Sequence, residues 1–179
     1  MTTWHDSRVR SLAYRAVIKT RVEAEQRFGT TPAVRRGLGR LNRHNLSWLA
    51  AIYGSDKGAI SHGYVDLYEQ YLSGMRRRAR RVLEIGIYRG ASLQMWRDYF
   101  PRAEVYGVDI KEIEVPGSRI HTLVGDQSDP ALLERLRALG PWDLIIDDGS
   151  HRQSHVLATF EGLYDAVAPG GYYVIEDMH

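Results

Sequence analysis

From Val82 onward, short apolar runs alternate with stretches of helical periodicity, the pattern of a parallel sheet with helices on its faces. Val82 to Ile87 reads as a first strand and Ser92 to Phe100 as a helix. Glu104 to Asp109 is a second strand and Ile120 to Val124 a third. Asp129-Pro130 pairs a capping side chain with proline at the first helical position, and Gly140 stops that helix. Trp142 to Ile146 makes a fourth strand, His151 to Val167 a helix, Pro169-Gly170-Gly171 a turn and Tyr172 to Ile175 a fifth strand.

The first fifty residues carry no strand signal and read as helices broken near Gly29-Thr30-Thr31-Pro32 and again at Gly37 to Gly39. Gly54 to Gly58 is a loop, and Tyr64, Leu67, Tyr68, Tyr71 and Leu72 have the spacing of a helix face. The pattern therefore predicts an N-terminal helical extension over 1–52 and an α/β domain over 53–179. The chain stops at His179 directly after a strand, so an edge along Tyr172 to Glu176 needs cover from the helices, a second subunit or further sequence. That edge and the helices make a homo-oligomer an option.

Composition narrows the class. There are no cysteines, which removes disulfides, thiolate metal sites and cysteine nucleophiles together. No apolar run is long enough to span a bilayer and the first residues lack a signal peptide's apolar centre, so the expected compartment is the cytoplasm, with no membrane partner. Residues 1–45 hold ten Arg/Lys against three acids, a balance of +7 that leaves −5 on the rest of a chain of net charge +2. Those arginines interleave with Val9, Leu12, Val17 and Val22, which suits the wet face of an amphipathic helix better than a nucleic-acid arm. The five arginines from Arg76 to Arg81 read the same way, as a solvated approach to the first strand.

The chemistry collects where strands end. Asp147-Asp148-Gly149-Ser150-His151 follows the fourth strand and Glu176-Asp177 the fifth, placing four carboxylates and a histidine at the carboxyl edge of the sheet, where ligands bind in open α/β folds. Clustered acids repel unless a cation or a shared proton holds them, and an all-oxygen set favours Mg²⁺, Mn²⁺ or Ca²⁺ over zinc. Asp147 is either a capping residue at its strand end or part of the site. At the first strand-to-helix turn, Gly86 and Gly90 are spaced GxxxG, which lacks the pyrophosphate-binding GxGxxG pattern and the Walker ending. Asp109 ends the second strand where an acid can accept ribose hydroxyls. His151 and His155 lie four apart, yet HRQSH lacks the glutamate of a zinc-protease HExxH, and a packing role suits His155.

Glu84-Ile85-Gly86-Ile87-Tyr88-Arg89-Gly90 resembles motif I of class I S-adenosylmethionine-dependent methyltransferases, which have a Rossmann-like, mostly parallel, doubly wound sheet. The resemblance implies a cofactor site built from Glu84, Gly86, Gly90, Asp109, Asp126, Gln127 and Asp147, with Gly125-Asp126-Gln127 at the adenine. Asp126 has an equal claim as a turn residue. Residues 53–179 also resemble a narrower group, the metal-dependent sugar O-methyltransferases of macrolide and tetracenomycin pathways. The match runs through Gly54-Ser55-Asp56-Lys57-Gly58, His62, Tyr64, Met95-Trp96, Tyr99-Phe100-Pro101, Asp143 to His151 and Pro169 to Asp177.

That resemblance implies Mg²⁺ ligands at Asp148, Glu176 and Asp177, His151 as the base, and loop 54–58 with His62 and Tyr64 over the cofactor or substrate. It implies a glycosylated small-molecule substrate, and strands six and seven of the family's sheet do not follow the fifth here. The rivals are an antibiotic-tailoring hydroxylase or oxidoreductase on a similar sheet, and a non-catalytic interaction module.

Overall fold

The computed structural model describes residues 31–58 and 63–178, together with positions 15, 16, 18–20 and 23. His62 and most of the helix read over the first thirty residues lie outside the described residues. The chain divides into two compact units, Met1–Arg76 and Arg77–His179. The boundary read from the sequence was at 52/53.

The first unit is helical. Helix α1 (Pro32–Leu41) begins where Thr31 Oγ1 accepts the Val34 N–H and Pro32 takes the first helical turn. It does not break at Gly37 to Gly39, contrary to the sequence reading. Glycine costs about 1 kcal/mol per position in a helix, and here the cap, the proline and the burial of Gly39 offset it. Trp48 Nε1 also donates to Leu38 O, anchoring the turn that contains both glycines. Helix α2 (Leu46–Tyr53) is capped by Asn45 and ends at Gly54, whose φ of 74° supplies the left-handed C-cap. In helix α3 (Tyr64–Leu72) the buried residues are Val65, Tyr68 and Leu72, while Leu67 and Tyr71 of the expected face are exposed.

The second unit is a five-stranded, wholly parallel sheet: β1 (Arg81–Ile85), β2 (Glu104–Asp109), β3 (Ile120–Val124), β4 (Trp142–Asp147) and β5 (Val167–Ile175), in the order β3-β2-β1-β4-β5. This is the Rossmann-like α/β class that the strand and helix alternation predicts. The order reverses between β1 and β4. Connections before that point step one way across the sheet and those after it the other, so right-handed crossovers put helices on opposite faces and open a crevice at the strand ends.

Alternation along each strand assigns the faces. Leu83, Ile85, Val108 and Ile145 pack with Leu132, Leu133 and Leu136 of helix α5 (Pro130–Leu139) and Leu163 of helix α6 (Gln153–Leu163). Glu84 and Gly107 face the other way, toward helix α4 (Ala91–Tyr99): Ser92 Oγ donates to Glu84 Oε2 at 2.6 Å, and a β-carbon at Gly107 would collide with Leu93.

Two elements differ from the sequence reading. Helix α6 starts at Gln153, not His151, because His151 has φ 56° and cannot join a right-handed helix. It ends at Leu163, followed by a 3₁₀ turn over Tyr164–Ala166. The Pro169-Gly170-Gly171 segment lies inside β5. There the pairing jumps from Trp142↔Val167 to Leu144↔Tyr172, so the expected turn is a bulge that resets register within a longer strand.

Candidate functional site

Every candidate residue of the second unit sits on or beside the carboxyl edge of the sheet. Loop 147–151 is shaped by two contacts. A β-carbon at Gly86 would strike the Asp148 carbonyl and the Gly149 Cα, so the bare backbone after β1 lets the loop after β4 lie directly on it. The ladder also continues past the strands, with Asp148 N donating to Ile85 O at 2.8 Å and Glu176 N to Asp147 O at 3.0 Å. Asp148 and Asp177 are thereby delivered to the same end of neighbouring strands.

Asp148, His151 and Asp177 each bring a ligand atom within 4.8 Å of the others, and His151 Nε2 stands 3.9 Å from Asp148 Oδ1. Two carboxylates at that spacing repel by about 3 kcal/mol at an effective dielectric of 20. His151 and Asp177 also adopt left-handed backbone, φ 56° and 52°. Such conformations cost on the order of 1 kcal/mol or more away from glycine and gather at functional sites. Paired acids held together on strained backbone are what a divalent cation would stabilise. Glu176 is buried and is not one of the three convergent residues; it lines the adjoining cleft beside Asp177.

A cleft of about 440 Å³ opens beside Gly149 and Ser150 of loop 147–151, lined by Ile85, Val108 and Ile110 and carrying Asp109, Asp126 and Arg152 as its charged groups. Asp109 already accepts two backbone N–H groups at Oδ2, from Ile87 and Tyr88 at 3.1 Å each, and one at Oδ1, from Lys111 at 3.0 Å. A carboxylate oxygen has two lone pairs, so Oδ1 retains room for a hydroxyl donor from the cleft while Oδ2 pins the loop after β1. Asp126 is held ionised below the usual carboxylate range, mainly by the Ser128 N–H and then its hydroxyl, and faces the cleft's mouth. Gly86 lines this cleft. Gly90 is held by a different demand, since a β-carbon there would strike Val115. Glu84 lies behind the wall, wholly buried on Ser92.

Asp147 is 1% exposed. Burial raises its pKa from 3.8 to about 6, a rise only partly opposed by the Gln127 amide, which donates to Oδ1 at 3.0 Å. The buried Tyr173 hydroxyl lies against the same carboxylate, and burial pushes its pKa up too. Gln127, expected at the adenine, is spent within the protein: Nε2 also donates to Thr159 Oγ1 at 3.1 Å, and Oε1 accepts Ser150 N at 2.6 Å.

A second cleft, about 460 Å³, opens between His151, Glu176 and Asp177 and the apolar side chains of Val156, Leu157, Phe160 and Met178. Sequence reasoning assigned nothing to that apolar wall, although the 3–4 spacing of Val156, Leu157 and Phe160 was available. It also set His155 down as packing. His155 is half-buried in the first cleft with Nδ1 3.1 Å from Ser150 Oγ and 3.9 Å from Asp126 Oδ1.

This arrangement can hold an adenosine-like group against apolar walls and acids in one cleft, a hard cation at the trio, and a hydroxyl-bearing molecule in the other. Comparison with known proteins identifies similar chains. The chain is 45% identical over 159 residues to the 8-demethyl-8-alpha-L-rhamnosyl tetracenomycin-C 2'-O-methyltransferase of Streptomyces olivaceus, covering 82% of this chain and 42% of that protein. It is 40% identical over 173 residues to the mycinamicin VI 2''-O-methyltransferase of Micromonospora griseorubida, covering 87% and 43%. The chain thus spans about two fifths of the length of these relatives. Among solved structures, MycE methyltransferase from the mycinamycin pathway, in complex with Mg, SAH and mycinamycin VI, superposes with a TM-score of 0.71 at 42% identity, over 75% of this chain and 39% of that one. The family model described as "Methyltransferase domain" matches residues 83–178, more than half of the sequence and the whole carboxyl edge of the sheet, and the chain belongs to that family.

Proposed function

We propose that this chain carries the cofactor and cation sites of an S-adenosylmethionine-dependent, Mg²⁺-assisted O-methyltransferase acting on a sugar hydroxyl of a glycosylated natural product. The observation that supports it most is the trio of Asp148, His151 and Asp177, of which His151 and Asp177 line one cleft, on a loop whose Gly149 and Ser150 line the other. Its relatives are named for methylating sugar hydroxyls of rhamnosyl tetracenomycin and mycinamicin. A cytoplasmic location goes with this reading, because S-adenosylmethionine is made and used there.

The first cleft fits an adenosine group. Ile110, exposed at the cleft, offers apolar surface for a purine, Asp109 Oδ1 has a lone pair left for a ribose hydroxyl, and Asp126 faces the same space. When bound, S-adenosylmethionine supplies an electrophilic methyl group. Asp148 and Asp177, with Glu176 beside them, would hold Mg²⁺, which supplies charge neutralisation and lowers the pKa of a chelated hydroxyl. His151, exposed in the second cleft, is placed to accept the hydroxyl proton as general base. The loop after β4 contributes alignment by holding His151 in the second cleft and Asp148 within reach of it, while its Gly149 and Ser150 line the first.

Isothermal titration with S-adenosylhomocysteine, with MgCl2 and with EDTA, tests the sites, and product mass tests the chemistry: a gain of 14 for methylation against 16 for oxygen insertion. His151→Ala is expected to keep S-adenosylhomocysteine and Mn²⁺ binding within about threefold while methyl transfer falls at least hundredfold. Loss of Mn²⁺ binding in that variant would make His151 a ligand instead of the base. No S-adenosylhomocysteine binding under any condition would sink the proposal.

A further inference from the structure

Gln127 follows β3, which two strands, β2 and β1, separate from β4 and the loop that carries Asp148 and His151, yet that loop is built around its side chain. The amide is 6% exposed and makes three hydrogen bonds: Nε2 to Asp147 Oδ1 at 3.0 Å, Nε2 to Thr159 Oγ1 at 3.1 Å, and Ser150 N to Oε1 at 2.6 Å. Its orientation is dictated by those partners. Turned over, the amide would aim oxygen at a carboxylate and N–H at N–H.

The partners bracket the candidate cation ligand. Asp147 precedes Asp148, Ser150 precedes His151, and Thr159 lies on α6, where its hydroxyl also donates to His155 O at 2.7 Å. Gly149, the residue between, has no room for a side chain because a β-carbon there would collide with Gln127 Oε1. The amide therefore holds the loop at Asp147 and Ser150 and ties it to α6 through Thr159, and glycine at 149 leaves it the room to do so. Asp147 and Ser150 cannot shift without breaking a bond to Gln127, and Gly149 lies directly against its Oε1.

We propose that Gln127 is a positioning residue for the cation site, fixing loop 147–151 so that Asp148 and His151 converge with Asp177. This rests on the cation reading above. Supporting groups behind metal ligands commonly carry a 10- to 100-fold effect on affinity when removed. Gln127→Ala leaves the loop ungripped; Gly149→Ala forces the amide away from the opposite side. If both act through the same contact, their effects on cation affinity do not add, since the new methyl enters space that Gln127→Ala has vacated.

The test is Mn²⁺ binding to the protein, followed by electron paramagnetic resonance, for the natural sequence, Q127A, G149A and Q127A/G149A, with thermal melting of each without metal. The expected result is Mn²⁺ binding by the natural protein, an approximately tenfold or larger rise in Kd for each single variant, and a double variant no weaker than the worse single one. A lower melting temperature with unchanged Mn²⁺ Kd would mean a structural role only and overturn the proposal. Multiplicative losses in the double variant would overturn the shared contact. Should Q127A not fold, G149A alone must still raise the Kd. Absence of Mn²⁺ binding by the natural protein would overturn the cation reading itself and this proposal with it, an outcome distinct from the others.

Discussion

Asp147 is the residue on which stability and site come closest to conflict. Its folded pKa of about 6 lies above the unfolded value of 3.8, so the folded chain holds the proton more tightly through that window and loses stability as pH rises through it. A rise of about two units corresponds to roughly 3 kcal/mol once pH exceeds 6. Asp147→Asn keeps an oxygen for the Gln127 amide and removes the charge. In EDTA the variant should therefore be more stable than the natural protein at pH 7.5 by on the order of 2 kcal/mol, with the advantage gone near pH 3.5. Urea unfolding at the two pH values measures it, and an equal advantage at both would show that the gain does not come from the carboxylate. The position of Asp147 after an apolar run was legible in the sequence; its burial against Tyr173 was not, because Tyr173 arrives from a strand whose register is reset by the bulge at 168–171. The same limit applied to Gly86 and Gln127. The strand-end glycine and the resemblance at Gly125-Asp126-Gln127 marked them as site residues, but what they touch, the Asp148 backbone and the Ser150 N–H, comes from other strands, and local pattern carries no register between strands.

Elements were legible where a local signal and the tertiary demand agreed. Asp129 and Pro130 start α5 as expected, with Asp129 Oδ1 accepting Ala131 N at 3.0 Å, and the apolar runs became β1 to β5. They were misread where glycine was taken as a breaker. Helix α1 runs through Gly37 and Gly39 because its cap and the Trp48 hold on Leu38 outweigh a propensity cost of about 1 kcal/mol each. That cost is recoverable at Gly37, where a β-carbon would meet nothing within 4 Å and φ is not positive. Gly37→Ala should stabilise the Met1–Arg76 unit by about 0.5–1 kcal/mol, seen as a higher melting temperature with helical circular dichroism unchanged or slightly increased. A loss of stability would show that residues 36–38 need freedom that alanine lacks.

At the scale of the whole chain, the sheet order β3-β2-β1-β4-β5 decides where the first cleft lies, because at the β1/β4 reversal the strand ends part and leave a crevice under the loop after β4. The second cleft opens over the end of β5 and helix α6, whereas the first has for its floor the end of β1 and the loop after β4, β1 and β4 being the central strands of the Arg77–His179 unit. A ligand seated there stabilises the folded unit against every opening that dismantles the floor. At about a hundred times its Kd, S-adenosylhomocysteine should add about 2.7 kcal/mol by mass action. Buried amides of Leu83, Ile85, Leu144 and Ile146, which exchange only when the central sheet opens, should slow by about a hundredfold under that condition. Hydrogen exchange followed by mass spectrometry measures this directly. Protection confined to loop 125–127, with β1 and β4 unchanged, would mean that the ligand binds at the rim without using the strand ends, and the crevice would lose its claim to be the cofactor site.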